Sequence, residues 1–161
     1  MAVNRYKPHV CFIPEDDADR QIVIGFRSHH SVNVAAIDLR EPAGGWEYVL
    51  DLFGNEFIPR LKRYAGAHVV LVLDFDEAGN RRAVCERRIP DELKPRVFLI
   101  GAWSTPETLR ADLNLPLDRI GERAAANCLA DDGFWNHPHL AHNTAEVARM
   151  TPALRPILFG N

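Results

Sequence analysis

The sequence predicts an α/β fold: a mostly parallel central sheet of about four strands, flanked by helices, with a helical C-terminal extension. Two observations carry this expectation. Short apolar runs alternate along the chain with stretches of helical periodicity, the pattern of strands joined by crossover helices. The run HVVLVL at 68–73 is apolar at almost every position, as a strand covered on both faces must be. The length of 161 residues and a hydrophobic content of 47% suit one domain with a core that needs no staples.

The elements follow in order. His9 to Ile13 reads as a buried strand ended by Pro14. Asp16 or Asp17 can cap a helix running to about Arg27. Val32 to Leu39 is a second strand, and Gly44-Gly45 marks the next turn. Trp46, Val49, Leu50, Phe53, Phe57, Leu61 and Tyr64 recur at helical spacing, with Pro59 expected to kink or divide that helix before Gly66 closes it. His68 to Leu73 is the central strand and Arg96 to Ile100 the fourth. Ser104-Thr-Pro-Glu107 opens a helix with a cap, a first-turn proline and a capping-box glutamate. A helix over roughly Leu117 to Leu129, a loop from Asp131 to His142 and a short last helix capped by Asn143 complete the chain.

Composition narrows function. Charged residues are 25%, near the average for folded soluble domains. No apolar run approaches the length of a membrane span, and the N-terminus lacks a signal-peptide stretch, so the expectation is a cytoplasmic protein with no membrane partner. Cys11, Cys85 and Cys128 are widely spaced, which disfavours a disulfide framework or a cysteine zinc site. A net charge of −3 argues against tight stand-alone binding to nucleic acid, yet leaves local patches open. Arg60, Lys62 and Arg63 form one basic cluster, and Arg81, Arg82, Arg87 and Arg88 another. Each reads equally as a solvated helix face or as a substrate patch.

Acidic residues gather where the strands end. Ligands of open α/β sheets bind at the carboxyl ends of strands. Glu15 follows the first strand, Asp74 and Asp76 follow the central one, and Glu107 comes after the fourth. In extended backbone, Asp74 and Asp76 would point to the same side. Two carboxylates about 4 Å apart repel by about 4 kcal/mol at an effective dielectric near 20. Solvent, protonation or a cation must offset this, and hard oxygen ligands suit Mg²⁺ or Mn²⁺. Gly79 would allow a tight turn beneath the site. The other reading is that the two aspartates cap a helix opening near Ala78.

The order and spacing of these motifs resemble the Toprim superfamily over about residues 8–113, with 114–161 as the extension. Pro14-Glu15-Asp16-Asp17-Ala18-Asp19 resembles its first motif, and Asp74-Phe-Asp-Glu-Ala-Gly79 resembles its D-x-D-x-x-G motif after an apolar strand. Gly44-Gly45 falls where such domains carry a glycine turn. Arg96 to Gly101 followed by Glu107 is similar to the last strand and acidic helix of the nuclease branch. One position departs: the family usually has glycine after its first glutamate, where this chain has Asp16. The resemblance implies that Asp74 and Asp76 bind Mg²⁺ or Mn²⁺. It makes Glu15 a general acid/base or a ligand of a second ion. Asp19 would orient Glu15 or cap the helix, and Glu107 is a further candidate ligand alongside its capping role.

Competing constellations are weaker. Receiver domains need a lysine well after the phosphoacceptor, and the last lysine here is Lys94, before the fourth strand. Haloacid-dehalogenase phosphatases need a long partner region behind an early nucleophile. His137, His139 and His142 could ligate zinc, but Pro138 breaks helical presentation, and a loop packing Trp135 on the domain is favoured. Trp103 could stack on a base, with rim packing the more expected role. The functional expectation is a small stand-alone Toprim protein of the nuclease or defence-associated branch, cleaving DNA or RNA with Mg²⁺ or Mn²⁺. The alternative is a catalytically silent Toprim-like module that docks on a larger partner such as an ATPase.

Overall fold

The computed structural model describes residues 2–160. Its centre is a four-stranded, all-parallel sheet in the order β2-β1-β3-β4, comprising β1 (His9–Pro14), β2 (Ile37–Leu39), β3 (Ala67–Val72) and β4 (Val97–Ile100). β1 pairs with β3 along its whole length, from His9 opposite Ala67 to Pro14 opposite Val72. This register brings the ends of the two central strands level, so Glu15 and the residues after Val72 emerge side by side. The arrangement agrees with the α/β, Toprim-like class expected, with helices on both faces and a helical C-terminal region.

Alternation along the strands divides the core into two layers. Cys11, Ile13, Val69, Leu71, Leu73, Val97 and Leu99 face one side, where they meet Leu50, Phe53, Phe57 and Leu61. Those partners come from α2 (Trp46–Leu52), a π-helical segment (Phe53–Phe57) and α3 (Ile58–Arg63). Pro59 was expected to disturb this helix, and the π segment directly before it shows how. Pro59 has no N–H for the Asn55 carbonyl, and a locally widened turn absorbs the mismatch without ending the helix. Val10, Phe12, Val70, Val72 and Phe98 face the other side, against α1 (Asp17–Ser28) and α7 (Thr144–Leu158). A satellite cluster joins α5 (Pro106–Leu113) to α6 (Leu117–Leu129) and Phe134.

α1 and α6 approach backbone to backbone. A Cβ on Gly25 would collide with the Asp118 carbonyl, and one on Gly121 with the Ile22 carbonyl. The C-terminal helices are thus part of the wall over one sheet face rather than an appendage. α7 also closes the free edge of β4. Arg149 donates to the carbonyls of Lys94 and Val97, Glu146 accepts from the Leu99 N–H, and Asn143 both accepts from the Gly101 N–H and donates to its carbonyl. Side chains so placed leave little for an intruding strand to pair with.

Several expected boundaries change. The second strand covers only Ile37–Leu39, because Val34–Ala36 forms a 3₁₀ turn beside it. Asn143 does not cap α7 with its side chain, which is consumed at the β4 edge, and α7 is long, at 15 residues. Glu107 is not the capping-box partner on α5: Thr105 is the cap, and the N–H it accepts comes from Thr108. Arg60 leaves the basic cluster, because it is buried and donates to Asp38 at 2.7 Å. Arg82 leaves the other, since it is used on the Leu99 carbonyl and on Asn143. No helix among the described residues is long and apolar enough to cross a membrane.

Candidate metal centre

Three carboxylates converge at the level ends of β1 and β3. Glu15 directly follows β1, and its N–H continues the ladder to the Val72 carbonyl at 2.9 Å. Its Oε2 accepts the backbone N–H of Asp74 at 2.7 Å, which fixes the side chain across the gap between the strands. Gly44 donates its N–H to the Glu15 carbonyl at 2.8 Å, and both Gly44 and Gly45 have positive φ, so the expected glycine turn does support the site.

Asp19 arrives from α1. Asp16 caps that helix, accepting the Asp19 N–H at 3.0 Å. The cap places Asp19 one turn in, on the face that packs on the sheet, where it is only 1% exposed. Asp74 comes from the chain just past β3, on the same sheet face as Val70 and Val72. Ligand oxygens of Glu15, Asp19 and Asp74 all lie within 4.8 Å of one another, and no other group of three or more His, Cys, Asp or Glu among the described residues could hold a metal ion. Asp16, the residue after Glu15, therefore serves as the helix cap.

The electrostatics are strained without a counter-charge. Fully ionised carboxylates at this separation repel by about 3–4 kcal/mol per pair at an effective dielectric near 20. The proton affinities respond. Burial pushes the Asp19 carboxyl far above the usual range, and the charges of Asp74, Asp16 and Glu15 push it further, so it is protonated at neutral pH. Burial likewise pushes Asp74 up to about 7, reinforced by Glu15 and Asp16, while a hydrogen bond from Asp19 works against the rise. Glu15 is raised by burial and held back by the Asp74 N–H. Two buried oxygens, Asp19 Oδ2 and Asp74 Oδ1, have no hydrogen-bond partner outside the carboxylate cluster. Buried polar atoms normally find one, so these two mark a place for a proton or a cation. A set of three carboxylates fits a hard divalent ion such as Mg²⁺ or Mn²⁺.

Asp76 does not join this cluster. The expected strand-like alternation ends one residue early. Asp76 and Glu77 take left-handed φ values of 48° and 55°, and both are exposed. Their N–H groups bond to the carbonyls of Ser104 and Trp103, so the chain turns away after Phe75 seats itself in the core. Such backbone in non-glycine residues is uncommon and concentrates at functional loops. Gly79 is not what allows the turn, because the left-handed positions are Asp76 and Glu77. The helix-cap reading of Asp74 and Asp76 also fails: α4 (Arg81–Glu86) starts after Asn80, with no side-chain cap. Glu107 is exposed and reaches Asp74 only through its charge.

The histidine-rich loop is packing. His139 pairs with Asp112, His137 Nδ1 accepts the His139 N–H, and His142 lies edge-on to Phe75 and near Trp103. Burial and the Arg82 charge lower His142 to about 4, keeping it neutral. Trp103 packs against the core beneath the acidic loop, as rim packing required. Asp19 is the residue that sequence reading undervalued. Its signal was present: a cap at Asp16 aims the third helical position back toward the strand ends. Comparisons with protein-family models, with curated proteins and with solved structures gave no match.

Proposed function

We propose that this chain is a Toprim-type, Mg²⁺- or Mn²⁺-dependent phosphodiester hydrolase acting on DNA or RNA, with the ion held by Glu15, Asp19 and Asp74. The observation that carries the reading is the convergence of three carboxylates, two of which bury an oxygen with no partner outside the cluster. A bound divalent ion would polarise the phosphate and lower the pKa of its water. The chain's own contribution is placement. The Asp74 N–H holds one oxygen of Glu15 and leaves the other to orient water or take a proton. Asp19 would have to release its proton to serve as a ligand. Asp74, poised about neutral pH, ionises with little penalty.

The test is cleavage of end-labelled single- and double-stranded DNA and RNA by the purified chain with Mn²⁺, alongside Glu15→Gln. Activity in wild type and its loss in a folded Glu15→Gln protein supports the reading; full activity in the variant removes Glu15 from the mechanism. The second reading, a silent Toprim-like module docking on a larger protein such as an ATPase, is favoured by one feature: Asp76 stands outside the cluster. Metal binding without cleavage of any of these substrates would favour it.

A further inference from the structure

We infer that Arg81 is the phosphate-binding residue of this site, holding a substrate phosphate oxygen beside the ion through a guanidinium that Trp46 keeps in place. The inference rests on the metal-site reading above. Arg81 is half-buried and begins α4, immediately after the acidic loop. One of its Nη atoms donates to the main-chain carbonyl of Asp74 at 2.8 Å. Its guanidinium carbon lies over the Trp46 ring, 4.7 Å from the centroid. Trp46 opens α2 directly after the Gly44-Gly45 turn, whose Gly44 N–H bonds to the Glu15 main-chain carbonyl at 2.8 Å. The stack is therefore tied to the main chain of two of the three acids, directly at Asp74 and through the glycine turn at Glu15.

A cation beside acids usually pairs with one of them. Arg81 forms no ion pair among the described residues, although other arginines do so. Its charge is felt at Glu15, which it lowers, without a direct contact. Among the described residues only one of its five guanidinium donors is committed, and the aromatic face fixes the plane of the rest. A fork of free donors in a set plane matches the oxygens of a phosphate, which Lys cannot do in the same way. Its neighbour Arg82 cannot take this role, being used on the Leu99 carbonyl and Asn143. The cluster thus supplies the ion and Arg81 supplies the anion-binding half, suited to phosphate esters generally.

The test separates the two halves. Mn²⁺ affinity is measured by loss of the free-ion electron paramagnetic resonance signal for wild type, Arg81→Gln and Arg81→Lys. Dimethyl phosphate is then titrated into each Mn²⁺-loaded protein, and its ³¹P line broadening reports phosphate beside the ion. The expected result is Mn²⁺ affinity within threefold of wild type, or tighter, in both variants. Apparent phosphate affinity should fall at least tenfold in Arg81→Gln and less in Arg81→Lys, which keeps the charge but loses the fork. Melting curves establish that the variants fold, and Arg81→Lys carries the test alone if Arg81→Gln does not. Wild-type broadening in a folded, Mn²⁺-loaded Arg81 variant overturns the inference and leaves the metal site intact. Failure of wild type to bind Mn²⁺ overturns both.

Discussion

Replacing Asp74 with Asn should stabilise the metal-free protein, and the structure sets the size and pH window of the effect. Asp74 is raised from 3.8 to about 7 by burial and by the charges of Glu15 and Asp16. A group whose folded pKa is raised contributes full stability below its unfolded pKa and loses it as pH rises through the folded one. The wild-type protein in EDTA should thus weaken between about pH 4 and pH 7. At full burial that rise corresponds to about 4 kcal/mol, at 1.36 kcal/mol per tenfold change in proton affinity. Asp74 is only partly buried, and solvent screening reduces this to roughly 1–2 kcal/mol. Asn keeps the shape, still accepts from Asp19 and carries no charge. For a chain of this size the variant should melt about 2–8 °C above wild type at pH 8 in EDTA. The gap should largely close near pH 4, where Asp74 is protonated in the folded state and about half protonated in the unfolded chain. Mg²⁺ should raise wild type by mass action and barely move the variant. Thermal melts at pH 4 and pH 8, with EDTA and with Mg²⁺, read all of this. A lower melting point for Asp74→Asn at pH 8, with no response of wild type to Mg²⁺, would rule out charge repulsion at Asp74 and a metal site beside it.

Other consequences follow from the same geometry. Asp19→Asn should weaken Mn²⁺ binding at least tenfold by calorimetry while changing the metal-free melting point little, because Asp19 is already protonated there; Asp76→Asn should leave Mn²⁺ affinity within threefold, and the reverse order would restore Asp76 as the ligand. Gly121→Ala should cost about 1–3 kcal/mol through overpacking against the Ile22 carbonyl, lowering the melting point by several degrees; an unchanged melting point would mean that α1 and α6 can separate freely.

The residues differ in how openly they declared their roles. β1 and β3 could be read because a strand covered on both faces is apolar throughout, and Glu15 and Asp74 followed as the residues at their ends. α1 was legible from Asp16, since a cap and a helical stripe are local signals. What was hidden depends on distant partners. Ile37–Leu39 is shorter than its apolar pattern because Val34–Ala36 turns into a 3₁₀ segment, and pairing with β1 begins only at Ile37, opposite Val10. The turn at Asp76 and Glu77 is set by the carbonyls of Trp103 and Ser104, far along the chain, so alternation predicted a side for Asp76 that the backbone does not give it. Asn143 and Arg82 looked like a cap and a surface charge, and both are consumed by an edge strand that only the assembled sheet creates. Gly25 and Gly121 gave no local cue at all, because their role exists only where two helices cross.

The most direct measurement is anomalous diffraction from a crystal of the chain soaked in Mn²⁺. A peak is expected within about 2.0–2.3 Å of oxygens from Asp74 and at least one of Asp19 and Glu15, distances usual for such ions. No peak at the cluster, or a peak coordinated by Asp76 with Asp19 and Glu15 uninvolved, would contradict the metal-site reading.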